Sequence, residues 1–460
     1  MPALTASTSA PLRWPGDWFS SSRGRDLRLH PAKRRLIMAL GSIAAVLPSG
    51  PARRPVMLMA LGTFALGTDA FVISGVLSQV GNSLGVSLGM AGLLITAFSA
   101  VYAISAPVSA VLTGNMGRKR VMQLALTIFV IANVAAVFAP NYGIMVAARV
   151  LAAIGAGLYT PSAAAAAASI AKPEERGRAL TMVLGGLTIA NAVGVPLGTF
   201  IGQAVSWRVT FAVVSVLGLI ALFGLTHALG DIPSLGVVSL RDRISAAAIK
   251  GVPATLASVG IAICGVFILY TYLAWFVGDV GGLHGTAVSW VYLIFGLTAV
   301  VCNFSAGWLI DHIRPARVAT LAFIGLVLVH VAFTVTVWTA KGSSAAVYVL
   351  CLLVALWGLT SWLFYPAQQK RLVTVAGARA PVVLSLGASS LYAGQALAGV
   401  VGGVLVPHGP ASVAIAAGVC VLIALAVHLV SSARDRPIPA PVPTEAPAAS
   451  QTRSSSSSSV

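Results

Sequence analysis

The stretch VMLMALGTFALGTDAFVISGVLSQV, residues 56–80, decides the fold class of this chain. Asp69 carries the only charged side chain among its 25 residues. About 20 apolar residues are enough for a helix to cross a hydrocarbon core of roughly 30 Å, so the stretch predicts a membrane-spanning helix. An acidic residue inside such a helix is costly and is by default a candidate functional group. Asp69 is therefore the first residue for which we expect a role.

The composition extends this interpretation to the whole chain, which is 58% apolar and 9% charged, whereas a soluble domain has about 25% charged residues. Long apolar runs predict twelve spans, and the short alternating segments of a membrane β-barrel are not found. We expect an all-α membrane protein. The predicted spans are residues 56–80, 88–112, 121–139, 142–170, 178–204, 208–229, 252–277, 286–310, 317–338, 345–366, 382–405 and 411–432.

The net charge of +18 is a signal of membrane topology. Fourteen of the 29 Lys and Arg residues fall in alternate loops between the spans, whereas the intervening loops hold two, Arg208 and Lys341. Positively charged loops stay in the cytoplasm, so the first group of loops and both termini are predicted to be cytoplasmic. The basic excess also favours contact with anionic lipid, and it does not indicate nucleic-acid binding.

The longest connection between spans divides the chain into two sets of six. Residues 110–126 and 307–323 match at five of 17 positions, and each segment follows the second span of its set. Parallel six-helix repeats are typical of one large transporter architecture. We expect, in order, a disordered basic extension, a six-helix half, a cytoplasmic linker, a second six-helix half and a disordered tail rich in Pro, Ala and Ser, at residues 1–55, 56–229, 230–250, 251–432 and 433–460.

Over about residues 55–432 the chain resembles transporters of the major facilitator superfamily. The family pattern G-x-L-a-D-r-x-G-r-k follows span two as AVLTGNMGRK, residues 110–119, in which Gly114 stands at the position of the acid. A second copy begins as GWLID, residues 307–311, and keeps the acid. The resemblance implies a major facilitator fold, with twelve transmembrane helices in two six-helix halves. It also implies gating loops that contain Gly117, Arg118, Arg120, Gly307 and Asp311.

Span five contains GVPLGTFIG, residues 194–202, which resembles the signature of the antiporter branches of that superfamily. Glycines four residues apart clear one helix face for close packing, and proline removes a backbone hydrogen bond and bends the helix. We expect Gly194, Pro196, Gly198 and Gly202 to form an interface helix between the halves. Ordinary packing of small residues is the alternative.

Further segments look like the first drug:proton antiporter family, in particular its bacterial arabinose-, chloramphenicol- and purine-efflux group. These segments are LGTDAF, WRVTF, WGLTSW and PAQQ, at residues 66–71, 207–211, 357–362 and 366–369. The resemblance implies efflux that is driven by protons.

Arg149 is the basic residue that falls inside a predicted span. Entering from opposite sides of the membrane, Asp69 lies about 20 Å deep and Arg149 about 12 Å deep in a core of roughly 30 Å, so we expect them to be neighbours. The low dielectric of the membrane core favours the neutral form of the Asp69 carboxyl, whereas a nearby guanidinium favours its charged form. Arg149 keeps its proton in either case. We therefore predict that Asp69 and Arg149 are the proton-coupling residues, with a static ion pair as the alternative.

Aromatic and amide side chains of the second half are candidates for a substrate site. Flat, largely uncharged walls suit a planar or amphipathic neutral solute. For this role we expect Tyr270, Tyr272, Asn303, Trp362 and Gln395. The alternative for the aromatic residues is a belt at the lipid headgroups.

These expectations describe a secondary active transporter in the inner or plasma membrane of a bacterium. We expect proton-coupled efflux of a small neutral or amphipathic molecule, such as a drug, a nucleobase, a nucleoside or a sugar, by alternating access. The alternatives are an uncoupled facilitator of a sugar or nucleobase and a transporter-derived membrane sensor. The expected partners are a small-molecule substrate, protons and membrane lipid, and a monomer is expected.

Chemistry on the substrate is not expected. The four cysteines lie in apolar spans without the spacing of a zinc site, and no Walker or HExxH sequence occurs. We therefore expect no enzyme activity, no catalytic residues, no metal, no cofactor and no nucleic-acid partner. The sequence leaves open the identity of the substrate, the direction of transport, the coupling ion, the start codon and the oligomeric state.

Overall fold

The computed structural model of the chain describes residues 50–234 and 240–433. The predicted extension as far as residue 49, residues 235–239 of the predicted linker and the predicted tail from residue 434 lie outside the described residues. The described residues form helices without any strand, which confirms the all-α fold class. Their α-helices are α1 Arg53–Leu84, α2 Leu88–Leu112, α3 Arg118–Val137, α4 Tyr142–Ile170, α5 Arg176–Ile189, α6 Val195–Ala204, α7 Trp207–Ala228, α8 Leu240–Ala247, α9 Val252–Thr271, α10 Leu273–Gly281, α11 Ala287–His312, α12 Pro315–Ala340, α13 Ser344–Ser361, α14 Phe364–Ala376, α15 Ala380–Leu405 and α16 Pro410–Ser432.

The helices account for twelve membrane crossings. In the described part of the chain, 11 continuous helical stretches are long and apolar enough to cross a membrane. One of them, Ser344–His408, has 65 residues. At 1.5 Å per residue it would be roughly 100 Å long, about three times the thickness of the hydrocarbon core. It therefore crosses twice, once as α13 with α14 and once as α15, which gives the predicted number of spans.

Several crossings are interrupted. Span five consists of α5, a π turn at Ala190–Gly194 and α6. Pro196 lies at the start of α6 and has no N–H to donate to the preceding turn, so the predicted bend takes the form of this π turn. Span seven is interrupted at Tyr272 and span ten at Trp362. The sequence predicted neither of these two interruptions.

Several helix boundaries differ from the predicted ones by a few residues, and the end of α14 differs by ten. α1 begins at Arg53 rather than at residue 56, because proline at position 55 is tolerated in the first turn of a helix. α14 continues to Ala376, whereas the predicted span ends at 366. Gln368 and Arg371 interrupt the apolar run in the sequence, but both are buried in α14 and bond each other at 2.9 Å. A polar stretch with internal partners was therefore mistaken for a loop.

Successive crossings are antiparallel, so the bundle has two ends. We call the end with the loops after α2, α4, α7, α11 and α14 the basic end, because most of the loop lysines and arginines lie there. We call α1–α7 the N-terminal half and α9–α16 the C-terminal half. The linker touches both halves at the basic end: Ile232 O accepts from the backbone N–H of Arg118 at 3.1 Å, and Arg243 donates to Ser385 Oγ at 3.0 Å.

The two halves are in close contact at the end opposite the basic end. There α2 packs against α15: Thr96 Oγ1 donates to Ala396 O at 2.9 Å. A Cβ added to Gly89 would lie only 2.6 Å from Gly403 O, so the two backbones touch. Small residues on both helices allow this close approach.

Contacts between the halves become fewer toward the basic end. Near the centre, the rings of Tyr102 and Tyr392 stack with centroids 3.7 Å apart. Asn303 Nδ2 donates to Thr188 Oγ1 at 3.5 Å, at the limit of a hydrogen bond. Of the hydrogen bonds that join the halves in the described part of the chain, this one lies nearest to the basic end. The halves thus meet at the centre and at the opposite end.

Candidate functional site

Asp69 and Arg149 form an ion pair inside the N-terminal half. Arg149 Nη1 donates to Asp69 Oδ1 at 2.8 Å, and Nη2 donates to the backbone oxygen of Asp69 at 3.3 Å. The side chain of Asp69 is 0% exposed and that of Arg149 1% exposed. The predicted contact between the two residues is therefore present.

The surrounding helices enclose this pair completely. Asp69 lies at the midpoint of α1, in a segment whose residues from Ala65 to Leu77 are all buried. The guanidinium carbon of Arg149 lies 4.6 Å from the ring centre of Phe98 in α2 and 5.7 Å from that of Phe211 in α7. Four helices thus contribute to the site: α1 the acid, α4 the base, and α2 and α7 the aromatic rings.

Two polar atoms of the pair remain available. Asp69 Oδ2 and Arg149 Nε have no hydrogen-bond partner among the described residues. Because Oδ1 already accepts from Arg149, Oδ2 is the oxygen at which a proton would be added. A carboxylate with one free oxygen in an apolar surrounding has a suitable geometry for gaining and losing a proton.

The glycines of span five pack against α1 of the same half. A Cβ added to Gly198 would lie 2.5 Å from Val72 Cγ2, and one added to Gly202 would lie 2.3 Å from Val76 Cγ1. Gly194 meets Thr68 in the same way. The predicted close packing is present: the glycine face packs on α1, while α6 itself also packs against α11 of the other half.

The π turn of span five also contacts the other half. A Cβ added to Gly296 of α11 would lie 2.5 Å from Asn191 O. Asn191 Oδ1 accepts from the hydroxyl of Tyr270 at 3.3 Å, across the two halves. Sequence analysis missed Asn191, although an amide followed by Pro196 in an apolar span was a signal that pointed to it.

The five predicted substrate residues lie in different surroundings. No hydrogen bond or ring contact joins any two of them in the described part of the chain. Tyr270 is buried in a ring cluster, and Tyr272 donates to Gly399 O at 2.8 Å in the contact between the halves. Trp362 Nε1 and Gln395 Oε1 have no partner among the described residues, and Asn303 is exposed. Trp362 and Gln395 each keep a polar atom available for a ligand, whereas Asn303 donates to Thr188, and Tyr270 and Tyr272 use their hydroxyls within the protein.

Tyr102 is a second residue that sequence analysis missed. Its ring is 6% exposed and stacks on Tyr392, so one ring comes from each half. α2 and α15 both cross the centre of the bundle at this level. A lone tyrosine in an apolar run gives no sequence signal that distinguishes this position from an ordinary core residue.

The predicted gating loops are held in different ways. A Cβ added to Gly117 would lie 3.2 Å from Ile232 O, so this glycine allows the linker to approach closely. Gly307, in contrast, has open space around it. Arg118 is 8% exposed, and its Nε has no hydrogen-bond partner among the described residues. Arg120 lines a groove beside the linker. Asp311 accepts from Lys370 Nζ at 2.9 Å. This exposed ion pair joins α11 to α14 within the C-terminal half.

Metal ligands do not cluster in the described part of the chain. No group of three or more His, Cys, Asp or Glu side chains there lies close enough to hold a metal ion. The four cysteines are free thiols. The candidate site is therefore the buried ion pair together with the boundary between the halves.

Comparisons with known proteins agree with the fold. A family model described as Major Facilitator Superfamily matches residues 59–369 and 255–458. An uncharacterized MFS-type transporter of Bacillus subtilis, YbcL, is 33% identical over 359 residues, which cover 77% of this chain and 89% of that protein. A chloramphenicol resistance protein of Streptomyces lividans is 31% identical over 272 residues, which cover 58% of this chain and 69% of that protein.

A solved structure supports the same architecture. The crystal structure of a POT family transporter in complex with 5-aminolevulinic acid superimposes with a TM-score of 0.67 at 11% identity, and the match covers 84% of this chain and 96% of that one. At this identity the likeness concerns the fold alone. Together with the twelve crossings, it confirms the expected twelve-helix architecture.

Proposed function

The chain belongs to the major facilitator superfamily, and on that premise we propose that this membrane transporter exports a small neutral or amphipathic molecule in exchange for protons. The observation that carries the proposal is the buried ion pair of Asp69 and Arg149. Well-packed apolar residues often stabilise a protein as well as a buried ion pair does, so stability alone is a weak reason for two charges at this depth.

Asp69 is the group that would exchange the proton. Arginine keeps its proton at all relevant pH values, so the carboxyl is the member of the pair that changes charge. Protonation at Oδ2 would weaken the attraction that holds Arg149 Nη1, and α1 would then be free to shift relative to α4. Phe71, two residues after Asp69 and so on roughly the opposite side of α1, contacts Phe267 and Tyr270 of the C-terminal half. A shift of α1 would therefore change these ring contacts between the halves.

The arrangement of the halves supports export from the cytoplasm. By the charge asymmetry of the loops, the basic end, and with it both termini, would face the cytoplasm. The contacts between the halves lie at the centre and at the opposite end. The conformation described here would thus admit a substrate from the cytoplasmic side of a bacterial inner membrane, and rocking of the halves would release it on the other side.

The polar groups at the centre suit an uncharged substrate. Trp362 offers an N–H donor and Gln395 an amide oxygen, and neither atom has a partner among the described residues. Tyr102 and Tyr392 add flat ring surfaces. Apolar walls with a few directed polar groups are typical of sites for small neutral molecules. The similarity to a chloramphenicol resistance protein is compatible with this class.

The test is proton movement driven by substrate in proteoliposomes that contain a pH-sensitive dye. Chloramphenicol, purine bases and pentoses are added one at a time to wild type and to Asp69→Asn. Asp279→Asn is the matched control, because Asp279 pairs with Lys341 in an exposed position outside the site. We expect at least one compound to cause proton movement in wild type and in Asp279→Asn but not in Asp69→Asn.

Other outcomes lead to the alternatives. Uptake or release of a compound without proton movement, equal in wild type and Asp69→Asn, would contradict proton coupling and identify an uncoupled facilitator. Binding of a compound without any transport would favour the membrane sensor.

A further inference from the structure

Arg149 has two kinds of partner. Its guanidinium bonds the carboxylate of Asp69 and also lies over the rings of Phe98 and Phe211, with the guanidinium carbon 4.6 and 5.7 Å from their centres. Phe98 is 1% exposed and Phe211 0% exposed. The rings come from α2 and α7; Phe98 lies outside the motifs that carry the family resemblance, whereas Phe211 is the last residue of one of them, WRVTF. They are therefore part of the surroundings of the pair, and the proposed proton exchange does not yet account for them.

The face of an aromatic ring carries partial negative charge. It attracts a cation, most strongly where water is excluded. The same negative face repels a neighbouring carboxylate. Both effects favour the state in which Asp69 is protonated and Arg149 is left without an anionic partner. Without the rings, protonation would leave a buried guanidinium with no compensating charge nearby.

We infer that Phe98 and Phe211 are positioning residues that hold Arg149 when Asp69 is protonated and thereby set the pH at which Asp69 exchanges its proton. The inference rests on the proposed function, because it assigns these rings a role in the proton exchange of the same site. Phe98 is the stronger partner, since its ring is closer to the guanidinium.

The other titratable groups on the helices around α1 are charged residues and histidines, tyrosines, of which Tyr102 has its ring 6.2 Å from that of Phe98, and the thiols of Cys264 and Cys302. The charged residues and histidines lie near helix ends: Arg176, Arg178, Arg208, His227, Asp279, Asp311 and His312. The tyrosines on these helices are Tyr102, Tyr142, Tyr159, Tyr270 and Tyr292. Tyr159 donates to Met59 O at 3.1 Å and Tyr142 to Met90 O at 2.6 Å. The charges that interact with the two rings are thus those of Asp69 and Arg149.

The test measures the protonation of Asp69 without a substrate. The full chain in lipid nanodiscs is titrated while infrared spectroscopy follows the C=O stretch of protonated carboxyl groups. The difference between wild type and Asp69→Asn assigns the band of Asp69. We expect Phe98→Leu to move the midpoint of this band to lower pH by roughly one unit. Phe211→Leu should move it in the same direction by less, and Phe98→Tyr, which keeps the ring, should stay near wild type.

Phe129→Leu is the matched control, because Phe129 is equally buried but packs against Gly155 of α4. A midpoint that is unchanged in Phe98→Leu, or that shifts as much in Phe129→Leu, would overturn the inference. So would a wild type in which the Asp69 band does not titrate. The dye assay with Asp69→Asn tests the proposed function independently: if coupling requires Asp69 while Phe98→Leu leaves the midpoint in place, only the role of the rings is wrong.

Discussion

The hydroxyl oxygen of Tyr272 lies directly against Gly92: a Cβ added to that glycine would be 1.8 Å from it. Tyr272 belongs to the C-terminal half and Gly92 to α2 of the N-terminal half. The same hydroxyl donates to Gly399 O at 2.8 Å. The contact that closes the opposite end thus depends on one position that has no side chain.

Gly92→Ala should therefore disfavour the conformation that is closed at the opposite end. The added methyl group cannot share space with the Tyr272 hydroxyl, and overpacking of this kind costs about 1–3 kcal/mol. Spin labels at two exposed positions of that end, Val205→Cys and His408→Cys, report the separation of the halves. We expect longer distances in Gly92→Ala than in the labelled parent.

The control for this prediction is Gly185→Ala, because a Cβ at Gly185 has nothing within 4 Å. Labelled Gly185→Ala should give the parent distances. If Gly92→Ala also gives the parent distances, the Tyr272 contact does not close the opposite end.

The packing of α6 on α1 gives a second prediction. Gly198→Ala should lower the stability of the N-terminal half by about 1–3 kcal/mol, because its Cβ would lie 2.5 Å from Val72 Cγ2. Val72→Ala removes that carbon, so the double variant should regain much of the loss. Thermal unfolding of the purified variants in detergent measures the effect. Equal losses in Gly198→Ala and in the double variant would show that the two side chains do not compete for this space.

The sequence was informative where membrane chemistry restricts the choice of residue. Spans are long because they cross the hydrocarbon core and apolar because their side chains meet lipid and not water, so their number could be predicted. Charges inside spans are rare for the same reason, and this made Asp69 and Arg149 recognisable as a pair before any contact was known. Their depths followed from the rise of the helix alone.

The sequence was less informative where the answer depends on which helix lies next to which. The glycines of span five indicated a close contact, but a row of glycines does not identify its partner, which is α1. Tyr272 has the aromatic, polar side chain expected of a substrate residue, but its hydroxyl bonds Gly399 of its own half and packs against Gly92 of the other half. Tyr102 gains its importance from Tyr392, nearly 300 positions away. Such relationships arise only when the halves are packed together.

Two neighbouring cations in α14 lead to a third prediction. Lys370 pairs with Asp311 on the surface, with side chains 45% and 72% exposed. Arg371 is 6% exposed and donates to Gln368 Oε1 at 2.9 Å and to Ser431 Oγ at 3.2 Å. Exposed ion pairs contribute about 0–1 kcal/mol, whereas buried hydrogen bonds to a charged group contribute about 1.5–3 kcal/mol each.

Arg371→Ala should therefore destabilise the protein by about 3 kcal/mol or more, and Lys370→Ala by less than about 1 kcal/mol. Unfolding of both variants in detergent, at low and at high salt, provides the comparison. Added salt should reduce the small effect of Lys370→Ala and leave that of Arg371→Ala nearly unchanged, since buried charges are poorly screened. Similar losses in the two variants would contradict the difference in burial.

The ion pair itself gives the last prediction. Arg149→Gln removes the guanidinium and leaves the carboxylate of Asp69 buried without its partner, which should cost about 3–5 kcal/mol. Asp69→Asn leaves the guanidinium without its anion, but Phe98 and Phe211 still face it, so we expect a smaller loss. The double variant Asp69→Asn/Arg149→Gln contains no unpaired charge and should be more stable than Arg149→Gln alone. Unfolding measurements on the four proteins complete a double-mutant cycle. Additive losses would mean that the two residues do not compensate each other's charge, whereas a double variant close to wild type in stability would mean that the charges are retained for a reason other than stability.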